Sequence, residues 1–342
     1  MKKPSTLLKS FSSRLSTRLA PSSPAVAPWP PVRSAYDRWL AAELDELRAD
    51  TLAPCTSAAW LVRALTLAVA AQRRLVASSA PDETAAGGAI DRKAADVCSA
   101  DTAELLDACA GVRDRLDMLR SYAAATRVAL HWLEGGGGDV AARRAAAAFA
   151  ECDAIERRCG AELAKCGSNL RKLGERAAGV VRQPDGAGGE ELSGARSLAL
   201  LAVGALGGAL AFRPRRAASG VAAHRAGGGK PAAQWECELQ EVQRHVREEY
   251  ERRRKEGVPC MAELDAMAAA ARTVRCAVAG GRRCPETVMA AARRQCDVME
   301  ETVAAFEEKV GELHRELIAV RMVLLERAQR ARGHELLRLP RI

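Results

Sequence analysis

Aromatic side chains are scarce in this chain: five tryptophans, three tyrosines and four phenylalanines among 342 residues. Much of its 48% hydrophobic fraction is alanine. Alanine is the best helix former and buries little surface, so this composition excludes a thick mixed core and favours long helices in close contact, with almost no β-structure. No Cys-x-x-Cys pair occurs among the 11 cysteines. A secretory signal is missing too, because Lys2, Lys3, Lys9, Arg14 and Arg18 interrupt every early apolar run. Free thiols in a reducing compartment follow.

Catalytic signatures are equally absent. The sequence has no Gly-x-Ser-x-Gly elbow, no His-Glu-x-x-His and no in-helix Glu-x-x-His. The glycines before Lys230 imitate a phosphate loop, but Pro231 stands where a Ser or Thr must reach magnesium, and His224 occupies the first glycine position. Gly204, Gly207 and Gly208 follow no strand pattern and give no dinucleotide fingerprint. Glu300 with Glu301, and Glu307 with Glu308, read as a solvated helix face. The five histidines, His131, His224, His245, His314 and His334, are scattered; His131 is expected to be partly buried and His314 an exposed flank. Cys152, Cys159 and Cys166 recur every seven residues on one helical stripe. With no histidine or carboxylate set converging on them, they read as core rather than as a metal site. The chain therefore reads as non-enzymatic, with no catalytic, cofactor-binding or metal-ligating residues.

The formal charge is +9. Residues 1–36 hold six Lys or Arg and no acid, and residues 192–235 hold six more and no acid, so the remainder carries −3. The excess lies outside the periodic regions. A basic groove with aromatic platforms, as nucleic acid requires, is not indicated.

What the sequence does carry is helical periodicity. Residues 1–33 are a basic, Ser- and Pro-rich stretch in which Leu7, Leu8, Phe11, Leu15 and Leu19 would share one face; it reads as a disordered tail or a targeting or membrane-surface segment. Residues 34–178 read as the N-terminal half of a bundle. Ser34 with Asp37 makes a capping box ahead of Tyr36, Leu40, Leu44 and Leu47. A second helix starts at Thr56 or Ser57 and turns Trp60, Leu61, Leu65, Val69 and Val76 inward. A third carries Leu105, Cys109, Val112, Leu116, Leu119, Thr126, Leu130 and Leu133 up to the four glycines 135–138. Asp139 caps a fourth, with Phe149, Cys152, Ile155, Cys159, Leu163, Cys166, Leu170 and Leu173, which the short turn should fold back antiparallel. Residues 179–232 read as a linker, with a loop over 179–196 and an apolar run at 197–212. Residues 233–342 form the C-terminal half, with helices on Trp235 to Tyr250 and Met261 to Val274. In the last helix Met299, Val303, Phe306, Val310, Leu313, Leu317, Val320 and Leu324 keep a heptad. Continuous to Arg332, that helix would run roughly 70 Å at 1.5 Å per residue, and the third and fourth helices are its expected cover. The fold class is thus all-α: an elongated antiparallel bundle with long, coiled-coil-like helices.

The run "SLALLAVGALGGALAF", Ser197 to Phe212, is shorter than the roughly 20 residues of a straight crossing. It contains Gly204-x-x-x-Gly208, a contact pattern of membrane helices, and Arg213, Arg215 and Arg216 follow it. With no polar face of its own, it reads as a membrane-associated or shallowly inserted segment, ahead of a single pass and of a helix buried in the bundle.

The order of "SAAWLVRALTLAVAAQRRL" (57–75), "DTAELLDACAGVRDRLDMLRSYAAATRVALHWLE" (101–134), a central apolar run and "RRQCDVMEETVAAFEEKVGELHRELIAVRMVLLERAQR" (293–330) resembles the plant BYPASS and Roh families. Leu105, Leu106, Asp107, Ala108 and Cys109 are similar to the family's "aLDlCn" helix start, and Phe306 to Arg315 to its closing helix. The likeness covers most of residues 36–330, although the alanine-rich helices and the missing "SRTEGLD" close depart from it. The resemblance implies a plant developmental regulator that works by binding proteins. One branch is tied to a root-to-shoot signal, the other to a subunit of the exocyst, and membrane (cytoplasmic face) and plastid locations are both implied. A plastid protein modifying a carotenoid-derived signal and a soluble structural coiled coil are the other readings the sequence allows.

Overall fold

The computed structural model describes residues 34–49, 53–78, 92–134, 138–180, 187–212 and 233–338, and these contain eight helices and no strand. They are α1 (Ala35–Ala49), α2 (Ala58–Ser78), α3 (Arg92–Glu134), α4 (Asp139–Val180), α5 (Ala187–Ala209), α6 (Gln234–Glu256), α7 (Ala262–Ala279) and α8 (Glu286–Arg338). The all-α bundle expected from composition and periodicity is what the chain forms. The targeting or tail reading of residues 1–33 lies outside the described residues, as do Arg213, Arg215, Arg216, Arg225 and Lys230. Ser34 to Ile342 form one compact unit.

Helix α8 is unbroken over 53 residues, close to 80 Å at 1.5 Å per residue. All eight heptad positions from Met299 to Leu324 are buried at 3% exposure or less. Its cover differs from the expectation in one respect. α3 packs along it as anticipated, but α2 and α7 supply the rest, while α4 packs on α3, α5 and α7. The α3–α4 pair is antiparallel: the Tyr122 hydroxyl donates to Glu156 at 3.2 Å, and Thr126 meets Cys152 one turn further on.

Helix ends are tied by side chains from other helices. Ser34 Oγ accepts the Asp37 N–H at 2.9 Å, half of the anticipated capping box. The Asp37 carboxylate instead accepts the backbone N–H of Trp235 at 2.9 Å, capping the start of α6, whose own N-cap is Ala233 and offers no side chain. Glu263 of α7 likewise accepts the Ala58 N–H at 2.9 Å at the start of α2, beside a bond from Ala262 N–H to the Thr56 carbonyl. These long-range caps fix the α1–α2 corner against the α6–α7 corner. Gly257 ends α6 at φ 73°, a left-handed position that only glycine adopts cheaply, with its N–H and that of Val258 returning to Arg254 and Arg253.

Candidate functional site: the buried helix and the α3–α8 face

Helix α5 begins ten residues before the apolar run, inside the stretch read as a loop, and it lies in the middle of the bundle. It touches α1, α2, α3, α4 and α6. By length and composition its segment Gly189–Ala209, with mean hydropathy 1.4, could cross a membrane, yet 94% of it is covered by the rest of the protein. In the folded chain the apolar run is therefore a core helix. The sequence favoured a membrane-associated segment because the run shows no polar face; α5 needs none, since neighbours surround it.

The polar contacts of α5 fit that position. One donor from each surrounding helix reaches a carbonyl of α5 or of the residue that follows it: Tyr36 Oη of α1 to Glu191 at 3.3 Å, Gln72 Nε2 of α2 to Ala195 at 2.8 Å, Tyr250 Oη of α6 to Ala205 at 3.1 Å, Arg115 Nη1 of α3 to Gly207 at 3.3 Å, and Cys159 Sγ of α4 to Leu210, just past the helix, at 3.4 Å. The last carbonyls of a helix lack partners within it, and burial without partners costs about 1–3 kcal/mol each. The Arg115 and Cys159 contacts answer that need at the C-terminal end. Arg115 is itself only 2% exposed. Near the other end Arg196 pairs with Asp101 of α3, both almost fully buried. Arg196 read as the polar border of the apolar run; its partner, on another helix, was not visible to a local reading.

The thiols behave as small buried hydrophobes. Cys152 and Cys159 of the heptad stripe are buried, and the Cys166 side chain lies outside the described residues. Burial pushes the Cys55 and Cys260 thiols up to about 12 and Cys296 to about 11. Cys237 and Cys276 are exposed. Among the described residues no group of His, Cys, Asp and Glu could hold a metal ion. His131 is exposed beside Trp132 rather than partly buried. His314 is half-buried, and burial together with the charge of Arg113 lowers its pKa.

The outer surface offers one concentrated feature, on α8. Ile318, Met322 and Leu325 are 44%, 54% and 39% exposed and fall at i, i+4 and i+7. They form a second, uncovered apolar stripe beside the buried heptad, and sequence inspection passed over them because the heptad positions explained the helix. One turn before them an open groove of about 410 Å³ between α3 and α8 is lined by Arg113, Asp117, Glu307, Glu308, Gly311 and Arg315.

Among the described residues these features define an all-helical bundle with a buried central helix and an exposed apolar stripe on α8. No family model, curated protein or solved structure matches the chain.

Proposed function

We propose that the protein is a non-enzymatic helical interaction protein of the BYPASS–Roh type, acting in plant development through a protein partner, with an exocyst subunit as the partner class that the resemblance implies. The observation that carries the interaction reading is the exposed stripe of Ile318, Met322 and Leu325 on a helix whose heptad positions from Met299 to Leu324 are all covered. An apolar stripe at helical spacing beside charged residues suits helix-in-groove recognition. The kinship rests on the quoted segments, which fall on α2, α3 and α8, with α2 and α3 both packing on α8.

Membrane association, on the cytoplasmic face, is assigned to the partner-bound assembly rather than to α5. Exposing α5 to lipid would strip five carbonyls of donors and separate Arg196 from Asp101. The protein should accordingly leave membranes in alkaline carbonate; retention in the pellet would return α5 to the bilayer. The interaction reading is tested by affinity purification of the intact chain with mass spectrometry. Specific retained proteins are expected, and their absence would overturn it.

A further inference from the structure

The seam between α3 and α8 carries a ladder of ion pairs with a fixed step. Glu134 meets Arg293, Arg127 meets Glu300 and Asp297, and Arg120 meets Glu307 at 2.6 Å. Successive rungs lie seven residues apart on both antiparallel helices, so the next in register sets Arg113 opposite His314. At that rung the acid is missing. α8 offers Gly311, His314 and Arg315 instead. Arg113 Nη2 lies 3.5 Å and Arg315 Nη1 3.8 Å from the point where a Cβ on Gly311 would stand, so two guanidinium groups converge over one glycine.

The nearby carboxylates are engaged elsewhere. Asp117 and Glu307 both bind Arg120, and Glu308 faces Lys309 at 3.7 Å. Among the described residues Arg113 and Arg315 carry no ion pair. Immediately beyond this rung the seam turns apolar, with Ile318, Met322 and Leu325 uncovered. From Arg315 to Leu325 the face runs about 15 Å, three helical turns.

We propose that this face docks an acidic amphipathic helix of a partner protein. A carboxylate of that helix fills the empty rung between Arg113 and Arg315, and its apolar side chains cover Ile318, Met322 and Leu325. Charge complementarity selects this occupant. Two cations lacking an acid call for an anion, and an apolar stripe at i, i+4 and i+7 calls for a helix that also carries apolar anchors. This inference rests on the interaction reading and names its surface.

The test places a benzophenone photocrosslinking amino acid at position 322 of the full chain, with position 140 on α4, where Val140 is 56% exposed, as the control. Each protein is irradiated in a lysate of native tissue and the crosslinked peptide sequenced. A crosslink at 322 but not at 140, to a peptide with Asp or Glu one to two turns from helically spaced apolar residues, is expected. R113Q/R315Q should lower its yield roughly tenfold, with an unchanged thermal melt. Crosslinking to a second copy of this chain, to lipid, or equally at both positions would overturn the proposal, as would a yield indifferent to the double substitution. Retention of partners by the intact chain without a crosslink at 322 would sink this surface and leave the interaction reading standing. No retained partner at all would sink the reading itself.

Discussion

Tyr36 lies so tightly across Gly194 that a methyl group on the glycine would stand 2.7 Å from Cε1 of the tyrosine ring. The contact joins α1 to α5, and the Tyr36 hydroxyl donates to the Glu191 carbonyl one turn earlier on α5. Leu40 closes the same site at 3.0 Å. Gly194→Ala should therefore cost about 1–3 kcal/mol through overpacking, despite the better helix propensity of alanine. Urea denaturation measures it. In the background Tyr36→Leu the same substitution should cost less, and equal costs in the two backgrounds would contradict the contact.

Arg196 and Asp101 are paired with almost no access to water. Asp101→Ala would leave a buried, uncompensated guanidinium and should destabilise the bundle by about 3–5 kcal/mol. Replacing both, as Asp101→Leu with Arg196→Met, should recover most of that loss, because the desolvation of both charges disappears with the pair. The comparison requires only equilibrium melts of the three proteins. A double substitution as damaging as the single one would mean that the pair contributes more than its desolvation costs.

The same pair explains where the sequence could be read and where it could not. The heptad of α8 was legible because each of its apolar positions is covered along one continuous line, which is a property of the helix alone. The start of α5 was not. Gly188 and Gly189, two glutamates and Arg196 read locally as loop, and they become helix because Tyr36, Gln72 and Asp101, distant in sequence, satisfy them. Asp37 shows the same limit on a smaller scale: the capping box was legible, but its carboxylate serves Trp235 on another helix. The outer stripe of α8 was visible in principle, since Ile318, Met322 and Leu325 are spaced as a helix face. Only the path of α3 decides that they stay uncovered.

Buried thiols impose a pH limit. Cys55 and Cys260 have an ordinary value of 9.0, and burial raises both to about 12. Above pH 9 the unfolded chain releases these protons while the folded chain keeps them, so stability falls as pH rises. The contribution is fully present below 9 and is lost progressively up to about 12. Melting temperature should hold level between about pH 7 and 8.5 and then decline. Replacing both residues with Ala, at a lower starting stability, should flatten that decline. Over the same range a maleimide should label Cys237 and Cys276 quickly and the buried pair slowly.

The two faces of α8 should respond oppositely to truncation. Leu317 is 1% exposed in the seam with its neighbouring helices, and Leu317→Ala should cost about 2–5 kcal/mol by removing buried methyl groups and leaving a cavity. Met322 is 54% exposed, and Met322→Ser should change stability by no more than about 0.5 kcal/mol. Charging the heptad, as in Leu313→Glu, should unfold the chain rather than dissociate an oligomer, because Leu313 faces neighbouring helices of its own molecule. Sedimentation with far-ultraviolet circular dichroism separates these outcomes. A folded monomer released from a larger assembly by Leu313→Glu would place the heptad between chains and refute the intrachain packing.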